Sequence, residues 1–280
     1  MPVHDDLGKR MKEFYEQIPK IKLMRRTPVI CRIDGKAFHT FTRGFQRPFD
    51  EVLIKTMQET TKYLCENIQG CVLGYTQSDE ISLVLVDYQR FETSAWFDYE
   101  VQKMCSIAAS MATMAFNSAF HKNVAHTIWT GENREYLNVY EKASRKGAMF
   151  DARVFNIPKE EVTNYIYWRQ LDASRNSIQM VGQANFSHKE LQNKSCNDIQ
   201  DMLMTQNGIN WNNIPTYQKR GSCVVKSDKT ETIREDNIGT DGSVIGTKMT
   251  VRSKWIIDKD IPIFKGEGRQ YIEKLVMIGE

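Results

Sequence analysis

An α+β fold is predicted for this chain of 280 residues by two sequence patterns and by its composition. Short runs rich in β-branched residues, such as PVICRI at 28–33, alternate with longer segments in which apolar residues recur at helical spacing. The strongest helical pattern extends from Phe97 to Ala119. Hydrophobic residues make up 41% of the chain and charged residues 26%, which is typical of a globular protein with a buried core.

The chain begins with an amphipathic helix that we expect to end near Pro19. Asp5 and Asp6 supply acidic capping residues, and four apolar residues follow at helical spacing, namely Leu7, Met11, Tyr15 and Ile18. A buried strand at 28–33 comes next and is broken by Asp34 and Gly35. Asp50 is a typical N-cap residue, and it predicts a helix that continues to about Ile68.

Residues 71–157 continue with a hairpin, a helix and a last strand. Cys71–Tyr75 and Ile81–Val86 are short β-branched runs that predict the hairpin, and the helix at 97–119 follows them. An insertion at about 121–147 precedes the last strand, which is predicted at Ala148–Ile157. The order β-α-β-β-α-β is the ferredoxin-like pattern, so we expect a first domain at 1–157.

Residues 158–280 are expected to form a C-terminal helical region with a β-rich tail that ends in a hairpin. The predicted elements are helices at Lys159–Leu171 and Ile178–Phe186, a capping box at Ser187–Glu190, a helix from Asn197 to Gly208, strands at 221–226, 230–234 and 248–257, and a hairpin turn at Asp241-Gly242.

The net charge of +3 excludes a polycation that binds nucleic acid indiscriminately, but the charge is unevenly distributed. Residues 17–49 carry a local charge of +7, with one acidic residue, Asp34, among eight basic ones. The basic residues are Lys20, Lys22, Arg25, Arg26, Arg32, Lys36, Arg43 and Arg47. A lone carboxylate in such a segment suggests a specific role.

The cysteines and the absence of a targeting pattern favour a cytoplasmic protein. None of the six cysteines forms a Cys-x-x-Cys pair, and several lie in apolar segments, which indicates reduced core thiols. The first residues are charged throughout and do not resemble a signal peptide. No apolar stretch approaches the ~20 residues that span a bilayer.

Asp34 and Asp79 are predicted to form a metal site. In a ferredoxin-like sheet the first and third strands are antiparallel neighbours, so Asp34 at the end of one lies beside Asp79 at the start of the other. Two carboxylates on strands ~4.8 Å apart suit a two-metal phosphoryl-transfer centre, for which oxygen ligands and phosphate substrates favour Mg²⁺. The alternative interpretation is that both aspartates only form turns.

The segment after Asp34 is predicted to bind a triphosphate. Successive backbone N–H groups at 35–39 form the type of loop that binds anions. Lys36, Arg43 and Arg47 add positive charge, and Phe38 or Phe41 is a candidate for stacking on a base. Arg43 is equally well explained as a residue of a solvated basic loop.

With these residues in place, the sequence resembles the tRNAHis guanylyltransferase family, whose members add nucleotides to tRNA 5′ ends in the 3′-to-5′ direction. The resemblance covers most of the chain. It rests on several motifs in the expected order, namely Arg32-Ile-Asp-Gly-Lys-Ala-Phe-His39, Arg47-Pro48, Gly74-Tyr-Thr-Gln-Ser-Asp-Glu80, Phe150-Asp-Ala-Arg153, Tyr167-Trp-Arg-Gln170 and Lys219-Arg-Gly221. It implies a polymerase-type palm on the ferredoxin-like core, with ATP and GTP as nucleotide substrates.

The resemblance also assigns roles to individual positions. The two metal carboxylates correspond to Asp34 and Asp79, and a backbone carbonyl ligand corresponds to Gly35. Nucleotide-binding positions correspond to Asp34, Gly35, Lys36, Ala37, Phe38, His39, Arg47, Ser78, Asp79 and Lys103. Lys103 can also be explained as a solvated charge on a helix, and Glu80 as a residue that orients Asp79 or caps the hairpin.

One segment departs from the family members that are dedicated to tRNAHis. Eukaryotic enzymes of that type carry His-Ile-Asn-Asn-Leu-Tyr-Asn where this chain has Ser174-Arg-Asn-Ser-Ile-Gln-Met180. The chain therefore resembles the guanylyltransferase-like branch, which implies template-directed repair of 5′-truncated tRNA. A strict tRNAHis guanylyltransferase, which adds one untemplated G, stays open as the alternative. The resemblance also implies a homotetramer.

Binding of tRNA requires phosphate contacts. The candidate residues are Lys20, Lys22, Arg25, Arg26, Lys142, Arg145, Lys146, Arg169 and Arg175, each of which is otherwise a solvated surface charge. Two other functions stay open. A non-catalytic RNA-binding module shares the βαββαβ order, although Ile81–Val86 lacks the aromatic residues of such modules. A nucleotide cyclase also uses paired carboxylates.

Overall fold

A computed structural model describes residues 6–238 and 244–279 of the chain. Its strands are β1 (Val29–Gly35), β2 (Cys71–Gln77), β3 (Glu80–Leu85), β4 (Phe150–Asn156), β5 (Ser222–Ile238) and β6 (Val244–Asp258). Its helices are α1 (Asp6–Met11), α2 (Phe38–Phe41), α3 (Glu51–Asn67), α4 (Val101–Thr130), α5 (Leu137–Lys146), α6 (Lys159–Asn185), α7 (His188–Leu191), α8 (Cys196–Asn207), α9 (Thr216–Arg220) and α10 (Gln270–Val276).

The strands of the described ranges form one sheet in the order β4-β1-β3-β2-β5-β6. Every neighbouring pair is antiparallel, and β1 lies between β3 and β4. The predicted adjacency of the first and third strands is therefore correct. The mixture of helices with an antiparallel sheet confirms the α+β class, and β5 continues the sheet beyond residue 157 by pairing with β2.

Helices cover both faces of the sheet. On one face, α3 and α4 enclose a core that contains Val29, Cys31 and Ile33 of β1. On the other face, Ile30 of β1 packs with α6 and α10. Alternate residues of β1 are thus buried on opposite faces, as expected for a central strand with helices on both sides.

Several predicted elements are confirmed at their ends. The Asp50 side chain accepts a hydrogen bond from the Leu53 amide and caps α3. The capping box at Ser187 and Glu190 is present, and Gly208 ends α8 with a φ of 67°. The β2–β3 hairpin and the strands β1 and β4 lie where the sequence predicted them.

Three predicted boundaries were wrong. The helix predicted at 97–119 begins at Val101 and continues to Thr130, so the predicted insertion at 121–147 contains the end of α4 and the whole of α5; Phe120, Val124 and Tyr140 continue the apolar core there. The two helices predicted within 159–186 form one helix, because Ala173 and Ser177 are small enough to remain buried where the apolar pattern is interrupted. The tail has two long strands instead of three short ones, and the turn predicted at Asp241-Gly242 lies outside the described residues.

The N-terminal segment differs from a packed amphipathic helix. Helix α1 is followed by a π-helical turn at Lys12–Glu16, and neither buries a side chain. Leu7, Phe14, Tyr15 and Ile18 are each more than half exposed. In the described residues, no helix has the length and apolar character that crossing a membrane requires.

Candidate functional site

Asp34 and Asp79 meet at one edge of the sheet. Asp34 lies near the end of β1 opposite Glu80, the first residue of β3. The amide of Gly35 donates a hydrogen bond to the carbonyl oxygen of Asp79, with an N–O distance of 3.1 Å. The structure therefore brings together the two carboxylates that the sequence predicted to be neighbours.

The environment of Asp79 favours its protonated form. Burial raises the pKa of Asp79, and the nearby Asp34 carboxylate adds to the increase, whereas a hydrogen bond from the Ser78 hydroxyl opposes it. A bound cation would favour the charged form instead. Ser78 and Asp79 form the two-residue turn between β2 and β3, and Ser78 has a φ of 51°.

The oxygen donors at this edge suit Mg²⁺ with additional ligands from a substrate. The candidate donors are the two carboxylates and, as the family resemblance implies, the Gly35 carbonyl, all hard oxygen ligands. Among the residues that the structure describes, no group of three or more His, Cys, Asp and Glu side chains is placed to hold a metal ion. Mg²⁺ is usually bound by one or two carboxylates together with phosphates and water, so the residues fit this ion.

Gly35 is required at its position by close packing. A Cβ atom at residue 35 would overlap the ring of Phe38, because the chain folds back into α2 directly after β1. Ala37, which precedes α2, has a φ of 54° in the left-handed region. Such a conformation costs an alanine about 1–2 kcal/mol, so the surrounding structure must enforce it.

The predicted anion-binding loop is shorter than expected. The amides of Gly35 and Lys36 donate to the carbonyls of Asp79 and Met149, so both serve to fix the loop. In the described part of the chain this leaves the amides of Ala37, Phe38 and His39, at the first turn of α2, as the candidate anion donors.

The prediction that Phe38 or Phe41 stacks on a base was wrong for both side chains. Phe38 is 4% exposed and Phe41 is 5% exposed. Their rings pack together and against Phe116 of α4, with ring centroids 5.1–5.6 Å apart. Both residues anchor α2 in the core, so a base must bind elsewhere.

Glu80 is the centre of a buried ion-pair network. Its carboxylate lies 2.6 Å from Arg32 Nη2 of β1 and 2.6 Å from Arg169 Nε of α6. The Arg169 guanidinium also donates to Asp172 at 2.9 Å. Burial raises the pKa of Glu80, and the two guanidiniums act against that increase. Glu80 therefore fixes β3 to α6 and to β1, while its role in orienting Asp79 or capping the hairpin stays a prediction.

The same network removes Arg169 from the candidate tRNA contacts. Its side chain is 6% exposed and is fully engaged with Glu80 and Asp172. Sequence alone gave no sign of this burial, because the partner Glu80 lies 89 residues away.

A cavity of about 690 Å³ opens beside the two carboxylates. Its wall combines the second half of the basic segment, from Asp34 onwards, with the C-terminal part of α6, and it includes His39, Arg43, Arg47, Met180 and Gln183. A second cavity of about 630 Å³ adjoins it and shares Arg47 and Gln183. Met180 and Gln183 were missed from the sequence, because α6 was predicted as two separate helices.

The remaining basic candidates lie in three places. Lys22 and Arg25 form ion pairs with Asp98, and Arg25 also contacts Asp87 at 2.6 Å. Lys20 lies 3.5 Å from Glu16, and the amide of Arg26 donates to Asp87. The other exposed candidates are Lys142, Arg145 and Lys146 on α5 and Arg175 on α6.

Lys103 does not line the cavity beside Asp34 and Asp79. Its ammonium lies 4.8 Å from the centroid of the Phe97 ring, near the start of α4. Thr113, ten residues further along α4, is the residue that contacts Phe150 beside Gly35. The helical rise places Lys103 about 15 Å from that contact, towards the opposite end of β1.

Comparisons with known proteins agree with this arrangement. The sequence profile of the family described as Thg1, tRNAHis guanylyltransferase, matches residues 8–158. A bacterial tRNA(His) guanylyltransferase (Thg1)-like protein in complex with ATP is 41% identical, with a TM-score of 0.76, and the match covers 96% of this chain and 98% of that one. A bacterial Thg1-like protein in complex with GTP is 38% identical, with a TM-score of 0.73 over 98% and 100% of the two chains.

An uncharacterized protein of Acanthamoeba polyphaga mimivirus is 28% identical over 92% of this chain and 91% of its own length. The family profile covers more than half of the chain, and the two bacterial structures match nearly all of it. The chain belongs to the tRNAHis guanylyltransferase (Thg1) family and is a guanylyltransferase-like nucleotidyltransferase.

Proposed function

We propose that this chain extends the 5′ end of tRNA with nucleotides taken from ATP, GTP and other nucleoside triphosphates, and that its main task is template-directed repair of 5′-truncated tRNA. The observation that carries the proposal is the position of Asp34 and Asp79 at the mouth of a cavity lined by basic residues. The bacterial Thg1-like proteins in complex with ATP and GTP support triphosphates as ligands.

The residues around the cavity have different roles in binding a triphosphate. Arg43, Arg47 and His39 line the wall, as do Ala37 and Phe38, whose amides are further candidate donors to phosphate. Asp34, Asp79 and the Gly35 carbonyl would hold Mg²⁺. When bound, Mg²⁺ stabilises the negative charge that builds up on phosphate oxygens during transfer. The Glu80 network keeps the Ser78–Asp79 turn against β1.

The fold and the assembly are part of the same proposal. The strand order β4-β1-β3-β2 and the helices α3 and α4 on one face support a ferredoxin-like palm of the polymerase type at 1–157, with 158–280 as its extension. The exposed apolar side chains of residues 7–18 support burial against another copy in a homotetramer. Light scattering that shows a stable monomer would contradict the tetramer.

A cytoplasmic location is supported by the thiols. All six cysteines are free, and Cys31, Cys65, Cys71 and Cys223 are buried in the core. Unpaired core thiols are typical of a reducing compartment.

Nucleotide addition is tested by incubating the protein with 5′-truncated tRNA, labelled nucleoside triphosphates and Mg²⁺. We expect 5′ extension by the wild type and loss of extension in Asp79→Asn, with Glu66→Gln at the exposed C-terminal end of α3 as a control that retains it. Near-normal extension by Asp79→Asn would contradict the assignment of the two carboxylates.

The same assay separates repair from strict G addition. Sequencing of products from a mixed pool of 5′-truncated tRNAs should show added nucleotides that are complementary to the 3′ strand. Products restricted to a single G on tRNAHis would favour a dedicated tRNAHis enzyme instead.

A further inference from the structure

Trp168 is an exposed aromatic side chain beside the carboxylate site that the proposed function does not use. It belongs to the Tyr167-Trp-Arg-Gln170 segment of α6, and it is 52% exposed. The guanidinium of its neighbour Arg169 lies 4.4 Å from the centroid of the indole ring. Because Arg169 is itself held by Glu80 and Asp172, the indole has a fixed support.

The sheet shows which way Trp168 faces. Tyr165 of α6 lies 3.4 Å from the Ser82 hydroxyl of β3, so α6 covers the face of the sheet on which Ser82 lies. Arg32 pairs with Ser82 and with Arg153, and directly opposite residues of antiparallel strands share a face. Arg153 of β4 is therefore on the α6 side of the sheet.

Helical spacing brings further charge to the same side of α6. Trp168, Asp172 and Arg175 are four and three residues apart, so they line one flank of the helix. Tyr165, whose ring contacts Trp168 at 5.8 Å, also contacts Phe155 of β4 at 5.7 Å. This flank therefore faces β4, with Arg153 across from it.

The two arginines are available for a ligand. Arg153 is 62% exposed and lies 3.7 Å from Asp151, and Arg175 is 64% exposed and lies 3.9 Å from Asp172. Long contacts between exposed charges contribute little to stability, so an approaching phosphate can replace them. An exposed aromatic ring close to exposed cations is the arrangement that binds unpaired nucleic-acid bases and their backbone.

We propose that Trp168 stacks on a nucleobase of the tRNA beside the 5′ end that is being extended, while Arg153 and Arg175 bind the adjoining phosphates. The inference rests on the proposed function, because it takes the RNA end to lie at Asp34 and Asp79. The path from ring to site is short, since Arg169 follows Trp168 in sequence and contacts Glu80, which follows Asp79.

The test measures RNA binding separately from catalysis. Fluorescence anisotropy with a labelled 5′-truncated tRNA gives the Kd of the wild type, Trp168→Ala and Trp168→Phe. We expect Trp168→Ala to raise the Kd about tenfold and Trp168→Phe, which keeps a flat ring, to stay within about threefold. Trp129→Ala is the matched control, because Trp129 is 85% exposed on α4, on the opposite side of the sheet, and its loss should leave the Kd unchanged.

Salt dependence separates stacking from charge. Arg153→Gln and Arg175→Gln should each lower the slope of log Kd against log salt concentration by about one, whereas Trp168→Ala should leave the slope unchanged. Should Trp168→Ala fail to fold, Trp168→Leu replaces it as the variant that keeps apolar bulk without an aromatic face.

Three results would overturn the inference. These are an unchanged Kd in Trp168→Ala, an equal loss in Trp168→Phe, and a change confined to the KM for the nucleoside triphosphate. A wild type that binds the tRNA but adds no nucleotide would contradict the proposed function while the stacking measurement stays valid. If the wild type extends tRNA and the Kd of Trp168→Ala equals that of the wild type, only the stacking proposal is contradicted.

Discussion

The ion pairs around Glu80 allow a sharp test of how the carboxylate site is held in place. Glu80 and Arg169 are each 6% exposed, and two guanidiniums approach Glu80 to 2.6 Å. Glu80→Gln removes one negative charge at constant size and leaves both guanidiniums without their common partner. Removal of one partner from a buried ion pair typically costs about 3–5 kcal/mol, and we expect a loss of that size in the free energy of unfolding.

The exposure of each charged residue determines how far its substitution lowers the free energy of unfolding. Arg32 is 24% exposed, so water screens its charge, and Glu80 would retain Arg169 if Arg32 were replaced. We therefore expect Arg32→Gln to cost about 1–2 kcal/mol. Glu141→Gln is the matched control, because the Glu141–Arg145 pair is 3.8 Å long and more than half of the combined side-chain surface is exposed. Its loss should change stability by less than about 0.5 kcal/mol.

Urea denaturation followed by circular dichroism gives these free energies. A Glu80→Gln variant within about 0.5 kcal/mol of the wild type would refute the argument that the network fixes β3 to α6. A larger cost for Arg32→Gln than for Glu80→Gln would refute the ranking by burial.

Three further predictions concern the loop, the metal and the core. Gly35→Ala should destabilise the protein by about 2–3 kcal/mol in the same assay, because its Cβ would overlap the Phe38 ring. Gly208→Ala, with open space and a φ of 67°, should cost only about 1 kcal/mol of backbone strain. Equal costs for the two variants would contradict the packing explanation. The Mg²⁺ concentration that half-saturates nucleotide addition should rise as pH falls, because burial raises the pKa of Asp79 and its protonated form cannot bind the ion. If less Mg²⁺ were needed at lower pH, the assignment of Asp79 as a metal ligand would be contradicted. Phe41→Ala should lower the free energy of unfolding by about 3–5 kcal/mol, because it leaves a cavity in the core. The KM for the nucleoside triphosphate should stay unchanged. A raised KM in the folded variant would show that the Phe41 ring contacts the base.

The carboxylate site could be predicted from the sequence because its residues lie next to recognisable strands. The sequence placed Asp34-Gly35 at the end of one strand and Ser78-Asp79 before the start of another, and the strand order alone places them together; in the structure Asp34 and Gly35 are the last residues of β1. The phenylalanines show the limit of this reasoning. A basic loop with two aromatic residues gives no indication of whether the rings face solvent or the core, and that is decided by α4, which supplies Phe116 and Phe120 from a distant segment.

Long-range ion pairs were beyond prediction for a related reason. In the sequence, Arg169 is typical of a surface residue on a helix, and only the packing of α6 across the sheet brings it to Glu80. The polar stretch at 172–177 also concealed the continuity of α6, because burial of Ala173 and Ser177 depends on small size and not on hydrophobicity. Periodicity detects apolar faces and overlooks helices that pack through small residues.

The length of α6 connects the departure from the dedicated tRNAHis enzymes with the cavity. From Arg169, which holds the start of β3, to Gln183 in the cavity wall the helix rises about 21 Å. The departing segment at 174–180 lies between these points, and Met180 lines both the large cavity and a smaller one that also contains Asn176. A family difference in a solvent-facing loop would say little about substrates. Met180 of this segment forms part of the wall of the cavity that contains Asp34 and Asp79, so a difference at this position changes the shape of that cavity. That position supports the proposal that the departure changes substrate preference, while Asp34 and Asp79, the proposed metal ligands, line the same cavity.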